Sequence, residues 1–250
     1  MKVPRVIDEI YRVSWGDMRF FRKNILQIML SCLVGPMLYL FAFGYGLGNN
    51  MADGPEGYLP FLIPGIISMA TLSTTFGFIS GKLFVQRKFY GNLDEMMLCP
   101  IRLSSVILGK TVIGIVRSMA SCLIILAVGL LMTDSIVITP MLFALILMSS
   151  LAFSFLGLIA GMIAKKHNSL SVFSSLVITP MTFFSGTIFS ISDVPEVIGY
   201  MIYMLPLTHP TLAIRAVMSG DAIPWASVVI LLAYCIIFYM LAHYVMKNRK

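Results

Sequence analysis

The sequence predicts an all-α integral membrane protein: six transmembrane helices, an N-terminal amphipathic interface helix, a cytoplasmic coupling helix and an outer re-entrant helical hairpin. Three observations predict it. Hydrophobic residues make up 58% of the 250 residues against 12% charged, and the mean hydropathy is +0.92, well outside soluble domains. The apolar residues fall into runs of about 20, the length that crosses a hydrocarbon core about 30 Å thick. The charges sit between those runs, with basic segments alternating with acidic ones. Residues 1–250 therefore read as a single transmembrane domain.

The net charge of +7 follows the positive-inside distribution and does not mark a nucleic-acid surface, so no nucleic-acid partner is expected. The cysteines Cys32, Cys99, Cys122 and Cys235 are scattered, and neither a disulfide framework nor a zinc site follows from them. The first apolar run begins at Ile25 and is as long as a span, unlike a cleavable signal.

Residues 3–23 predict an amphipathic helix. At about 100° per residue, Val3, Val6, Ile7, Ile10, Tyr11, Val13, Ser14, Met18, Phe20 and Phe21 share one face. Arg5, Asp8, Glu9, Arg12, Arg19, Arg22 and Lys23 share the other. Asp17 is the misfit on the apolar side. Cations opposite an apolar face suit a helix lying in the membrane interface; the alternative is an amphipathic helix packed on its own protein.

The six spans are expected at 25–47, 59–81, 111–131, 141–163, 170–189 and 226–246. Their connections set the orientation. The N-terminal segment carries six Lys/Arg, residues 82–110 carry five, Lys165 and Lys166 add two, and residues 247–250 add three. The alternate segments carry Asp53, Glu56, Asp134, Asp193, Glu196 and Asp221, with Arg215 as their one cation. Both termini are therefore expected in the cytoplasm.

Residues 86–105, between spans two and three, form the largest cytoplasmic segment. Gly91 and Asn92 turn the chain, and Asp94 and Glu95 enter the first turn of a short helix, where the macrodipole favours acids. Pro100 ends that helix. Met96, Met97 and Leu98 give it an adaptable apolar surface with little core beneath. A partner groove would seat that surface; the membrane surface is the alternative.

Residues 104–111, S-S-V-I-L-G-K-T, end like a nucleotide-binding loop. The first glycine is missing, bulky residues fill the phosphate cradle, and a span follows, so the resemblance is rejected. Lys110 is expected to snorkel at the cytoplasmic boundary. His167, His209 and His243 lack metal-ligand spacing, and no H-E-x-x-H or G-x-S-x-G occurs. No catalytic or metal residue is assigned. Arg117, about two turns into span three, is expected to snorkel or pair with a loop acid in preference to facing a polar cavity.

Span five has a polar side. Ser171, Ser174, Ser175, Thr179, Thr182, Ser185 and Gly186 fall within about 140° of one another, and Pro180 points away. Ser171, Ser175, Thr179, Thr182 and Ser185 are candidates to line a pathway; close helix packing is the alternative. Thr179 is also placed to bond backbone groups freed by Pro180. Span two carries a similar strip of Ser73, Thr74, Gly77, Ser80 and Gly81. Both Gly77/Gly81 and Gly157/Gly161 match G-x-x-x-G, and packing is expected of the second pair. Tyr58, Tyr200, Tyr203 and Trp225 read as interface anchors.

Residues 194–218 are apolar enough to enter a membrane and too short to cross it. The run 194–205 makes about 18 Å of helix. Pro206 and Pro210 then remove two backbone donors, and Arg215 follows five residues later. Two short helices that dip in from the outer side and return to it are expected. Such backbone is tolerated at membrane depth only against protein or a water-filled cavity.

This order of parts resembles the membrane subunit of an ABC transporter of the type-2 exporter class. Y-L-P-F-L-I-P-G at 58–65 is similar to the family's Y-x-x-F-x-x-P-G. G-N-L-D-E-M-M-L-C-P at 91–100 is similar to G-T-x-E-x-L-x-x-T-P, with Asp94 at the acidic position and Asn92 and Cys99 in place of threonines. I-T-P-M-T-F-F-S-G at 178–186 is similar to nodulation-factor and drug-exporter permeases. So is L-P-L-T-H-P at 205–210, which holds Pro206, His209 and Pro210 and precedes Arg215. The resemblance implies two permease copies, a homodimer forming one pathway, and two cytosolic ATPase subunits. ATP and magnesium would be held by those subunits, and no cofactor by this chain. Arg87, Gly91, Asp94, Glu95, Met96, Met97, Leu98 and Pro100 would dock on them, together with the N-terminal helix. The implied function is export of a lipid-linked saccharide or amphipathic drug across the plasma or inner membrane. A non-transporting membrane scaffold or assembly factor is the second reading, and a membrane enzyme acting on lipids the third.

Overall fold

A computed structural model describes residues 5–47, 54–133, 136–189 and 195–248, and among these no strand occurs. Val3, Asp53, Asp134, Asp193 and Val194 lie outside the described residues. The elements run α1 (Arg5–Lys23), α2 (Ile25–Phe41), α3 (Gly54–Lys88), α4 (Asn92–Leu98), α5 (Leu103–Met132) and α6 (Pro140–Ile163). They continue with α7 (His167–Phe173), α8 (Thr179–Phe184), α9 (Glu196–Tyr203), α10 (Thr208–Ser219) and α11 (Trp225–Asn248). The chain is a multi-pass membrane protein. Among the described residues, five helices are long and apolar enough to cross a bilayer, at Ile25–Gly44, Tyr58–Lys88, Leu103–Met132, Pro140–Ile163 and Trp225–Asn248.

The bundle is built around α3. Of its most apolar window 83% is buried, against 17% for α2 and 22% for α11, which lie at the periphery. Glycines set the closest crossing. A Cβ on Gly157 or Gly161 of α6 would come within 3.0 Å of the Phe76 carbonyl oxygen or 2.7 Å of that of Ser80, so this pair is a packing seam of the small-xxx-small kind. Hydroxyls inside α3 bond one turn back: Ser68, Thr74 and Thr75 donate to the carbonyls of Pro64, Ala70 and Thr71 at 3.0, 2.6 and 2.6 Å. This leaves little unsatisfied polarity where water is absent.

The expected fifth span is helical from His167 to Phe184 but not uniformly so. A π-helical stretch, Ser174–Ile178, separates α7 from α8, directly before Pro180, whose ring nitrogen donates nothing. Thr179 Oγ1 donates to the Ser174 carbonyl at 3.3 Å within this irregular turn. Residues 185–189, expected to be helical, leave the helix instead. Gly186 there adopts φ +67°, a conformation that suits glycine.

α9 and α10 meet at 94° across residues 204–207. The bend exposes the last carbonyls of α9, and side chains satisfy them. Thr208 Oγ1 donates to Ile202 O at 2.6 Å, His209 Nε2 lies 3.0 Å from Tyr203 O, and Tyr234 of α11 donates to Met204 O at 2.8 Å. Histidine and threonine beside the prolines thus serve as helix-end partners.

α1 is both packed and amphipathic. Val13, Asp17 and Phe21 are buried toward the bundle, and a Cβ on Gly109 of α5 would fall 2.7 Å from Val13 Cβ. Glu9, expected on the polar face, is 9% exposed. Its carboxylate accepts from Ser105 Oγ at 2.7 Å and from the Arg102 amide at 3.4 Å, at the positive end of the α5 dipole. Ile7, Tyr11 and Trp15 remain half exposed on a second, aromatic side, as suits a helix at a headgroup boundary.

Candidate functional site

Two clusters concentrate the polar chemistry, one at each end of the bundle. At the hairpin end, the Y-x-x-F-x-x-P-G motif of α3 clasps the non-helical residues after α8. Tyr58 Oη donates to Ile188 O at 2.6 Å. A Cβ on Gly65 would lie 2.1 Å from Thr187 O, so only glycine admits this approach. Arg215 of α10 completes the clasp: it donates to Gly186 O at 2.9 Å and sits 3.6 Å from the centre of the Phe61 ring. In a dehydrated setting such a cation–π contact contributes about 2 kcal/mol. The motif, the α8 exit and the hairpin arginine, separate in sequence, form one structure.

The other predicted hairpin residues hold its bend. Pro206 lies in it, Pro210 is buried in the first turn of α10, and His209 is 2% exposed with its ring on the Tyr203 carbonyl. Of the span-five candidates, Ser171, Ser175 and Thr179 are exposed and Thr182 is half buried. Ser185 is buried and donates to Met181 O. The structure leaves three of the five exposed, one half-buried and one buried.

At the basic end, Gly91 takes φ +66° and opens α4. Asp94 and Glu95 occupy its first turn, solvent-exposed, as its dipole favours. The helix ends at Leu98 with Cys99 extended, and Pro100 follows. Leu93 is 2% exposed and pins α4 to the bundle, while Leu98 is 87% exposed. Phe89, Tyr90 and Met97 are exposed around it. Arg87 is half-buried and donates to the Ala164 carbonyl at the end of α6.

Sequence reasoning missed an ion cluster beside this surface. Asp17 of α1 lies 2.9 Å from Lys82 Nζ of α3 and 3.5 Å from Lys110 Nζ of α5. Lys110, expected to snorkel, has a side chain only 5% exposed. A carboxylate this buried keeps its charge only beside cations. The signal in the sequence was Asp17 itself, the acid on the wrong face. Arg117 also turns inward: its Nη2 is 2.9 Å from Cys32 Sγ and its guanidinium 3.9 Å from the Phe78 ring centre. Among the described residues, no three His, Cys, Asp or Glu side chains converge as metal ligands would.

A family model described as ABC-2 type transporter matches residues 9–219. The Escherichia coli K12 protein called inner membrane transport permease YadH is 24% identical over 226 residues, covering 87% of this chain and 88% of its own. Nodulation protein J of Neorhizobium galegae is 27% identical over 210 residues, covering 82% and 79%. That of Rhizobium leguminosarum bv. viciae is 30% identical over 222 residues, covering 81% and 79%.

Proposed function

Since the chain belongs to the ABC-2 type transporter family, as a membrane transport permease, we propose that it is the membrane-spanning subunit of an exporter driven by a separate cytosolic ATPase. The observation that carries this reading is α4. It is a seven-residue helix held by buried Leu93, with Leu98, Met97, Phe89 and Tyr90 exposed around it. Apolar side chains presented on so short a helix suit the groove of a partner. In this reading the basic end is cytoplasmic, two ATPases grip the α4 segments of two permease copies, and α1 lies along the inner leaflet. ATP-driven movement of α4 passes to α3, which carries the hairpin clasp at its other end. The α9–α10 pair dips into the outer leaflet and returns. The exposed, hydroxyl-bearing Ser171, Ser175 and Thr179 support a cargo that hydrogen-bonds without charge along its length, a lipid-linked saccharide or an amphipathic drug.

The test replaces Met97 and Leu98, the exposed apolar residues of α4, with Asp. Each acid placed in an apolar groove would cost about 2–3 kcal/mol or more, so co-purification of the ATPase is expected to fall by at least an order of magnitude while membrane insertion is unchanged. Wild-type ATPase association in the double variant would defeat the docking assignment.

A further inference from the structure

A cavity of about 820 Å³ lies at the basic end between α1, α3 and the chain entering α4. We propose that it holds the anionic headgroup, a phosphate or pyrophosphate, of an amphiphile drawn from the adjacent leaflet; this rests on the permease reading and deepens it. Its volume is that of a small-molecule site. The space is open by construction. A Cβ on Gly77 or Gly81, both lining it, would meet nothing within 4 Å, whereas the Gly157/Gly161 pair is clasped by backbone. One G-x-x-x-G is a seam and the other is a wall.

The charge in the cavity favours an anion. Lys82 and Lys110 share the single carboxylate of Asp17 at 2.9 and 3.5 Å, which leaves one ammonium charge uncompensated. Arg12 at the rim has its own acid, Asp8, at 2.8 Å. Lys82 is the presented cation, with its side chain 20% exposed against 5% for Lys110. A buried excess cation is stabilised by a bound anion, and a charge-assisted bond to phosphate is among the stronger ones. Gln86, also on the wall, has an Oε1 with no hydrogen-bond partner and is placed to accept from a sugar or glycerol hydroxyl.

The walls favour an amphiphile over a free ion. Phe20 and Phe78 flank the Lys82 ammonium at 5.5 and 5.1 Å, and Met96 closes the cavity from α4. The same α1 that forms one wall shows Tyr11 and Trp15 on its outer side, at the level where headgroups lie. Met96 also ties the site to the motor, because any displacement of α4 reshapes the cavity.

Binding to the full chain, reconstituted in phosphatidylcholine nanodiscs, tests this. The probes are dioctanoyl phosphatidic acid, dioctanoyl phosphatidylcholine and inorganic pyrophosphate. Phosphatidic acid is expected to bind saturably, about tenfold or more tighter than the other two, and Lys82→Gln to weaken it by about tenfold. Gly81→Leu starts its side chain where a Cβ meets nothing within 4 Å, and it is expected to abolish binding while thermal stability is kept. Equal binding of phosphatidylcholine, equal binding of pyrophosphate, or wild-type affinity in both variants would overturn the proposal. Both variants retain Met97 and Leu98, so ATPase co-purification reports on the permease reading separately.

Discussion

Gly65 and Gly77 lie on one helix and make opposite demands. At Gly65 an added methyl would sit 2.1 Å from the Thr187 carbonyl oxygen, and at Gly77 it would meet nothing within 4 Å. The first clash is with backbone, which cannot rotate aside, so α3 must separate from residues 186–188. The Tyr58–Ile188 and Arg215–Gly186 bonds then lengthen together. Gly65→Ala is expected to destabilise by about 1–3 kcal/mol, the usual penalty for overpacking. Gly77→Ala is expected to be neutral or stabilising by up to about 1 kcal/mol, since alanine is the better helix former. Thermal unfolding of the two purified variants compares them directly. Equal midpoints would show that the clasp carries no stability.

The elements differ in how much of them the sequence disclosed. Five spans follow from apolar length alone, because a continuous helix satisfies its own backbone and needs no knowledge of neighbours. α4 was legible from Gly91, the acids after it and Pro100, all local signals. α1 was legible as amphipathic but not as three-sided. Its period separates polar from apolar, yet it does not say that Glu9 would cap α5 or that Asp17 would meet two lysines 65 and 93 residues away. The π-helical stretch before Pro180 and the capping of α9 by Thr208, His209 and Tyr234 were hidden for the same reason, since they depend on what a broken helix end finds nearby. The α1–α5 contact is tested at Gly109, where a Cβ would fall 2.7 Å from Val13 and 3.2 Å from the Ile10 carbonyl. Gly109→Leu is expected to lift α1 and uncover Asp17, with protease cleavage near residues 16–24 accelerated about tenfold or more, as for local opening that costs over 1.4 kcal/mol less. Cleavage at the wild-type rate would mean that α1 is held by the membrane and not by α5.

At the scale of the whole molecule, the two clusters stand at opposite ends of α3, with Tyr58 and Gly65 in the hairpin clasp and Lys82 and Gln86 at the cavity. A 35-residue helix is about 50 Å long, longer than the hydrocarbon core, so its ends lie in different leaflets or beyond them. Everything proposed for coupling requires the α4 end to face the ATPases. The native cysteines suit a test of this, because Cys99 is exposed while Cys32 and Cys122 are buried. Cys235 is half buried within α11. A membrane-impermeant maleimide is expected to label Cys99 in inverted vesicles and not in right-side-out ones. Ala222→Cys, in the exposed turn between α10 and α11, is expected to give the reverse. The lysine and arginine bias predicts this sidedness because moving short basic loops across the membrane is disfavoured. Labelling of Cys99 from the outside would place the coupling surface where no cytosolic motor can reach it, and the proposed drive from α4 through α3 to the hairpin would fail with it.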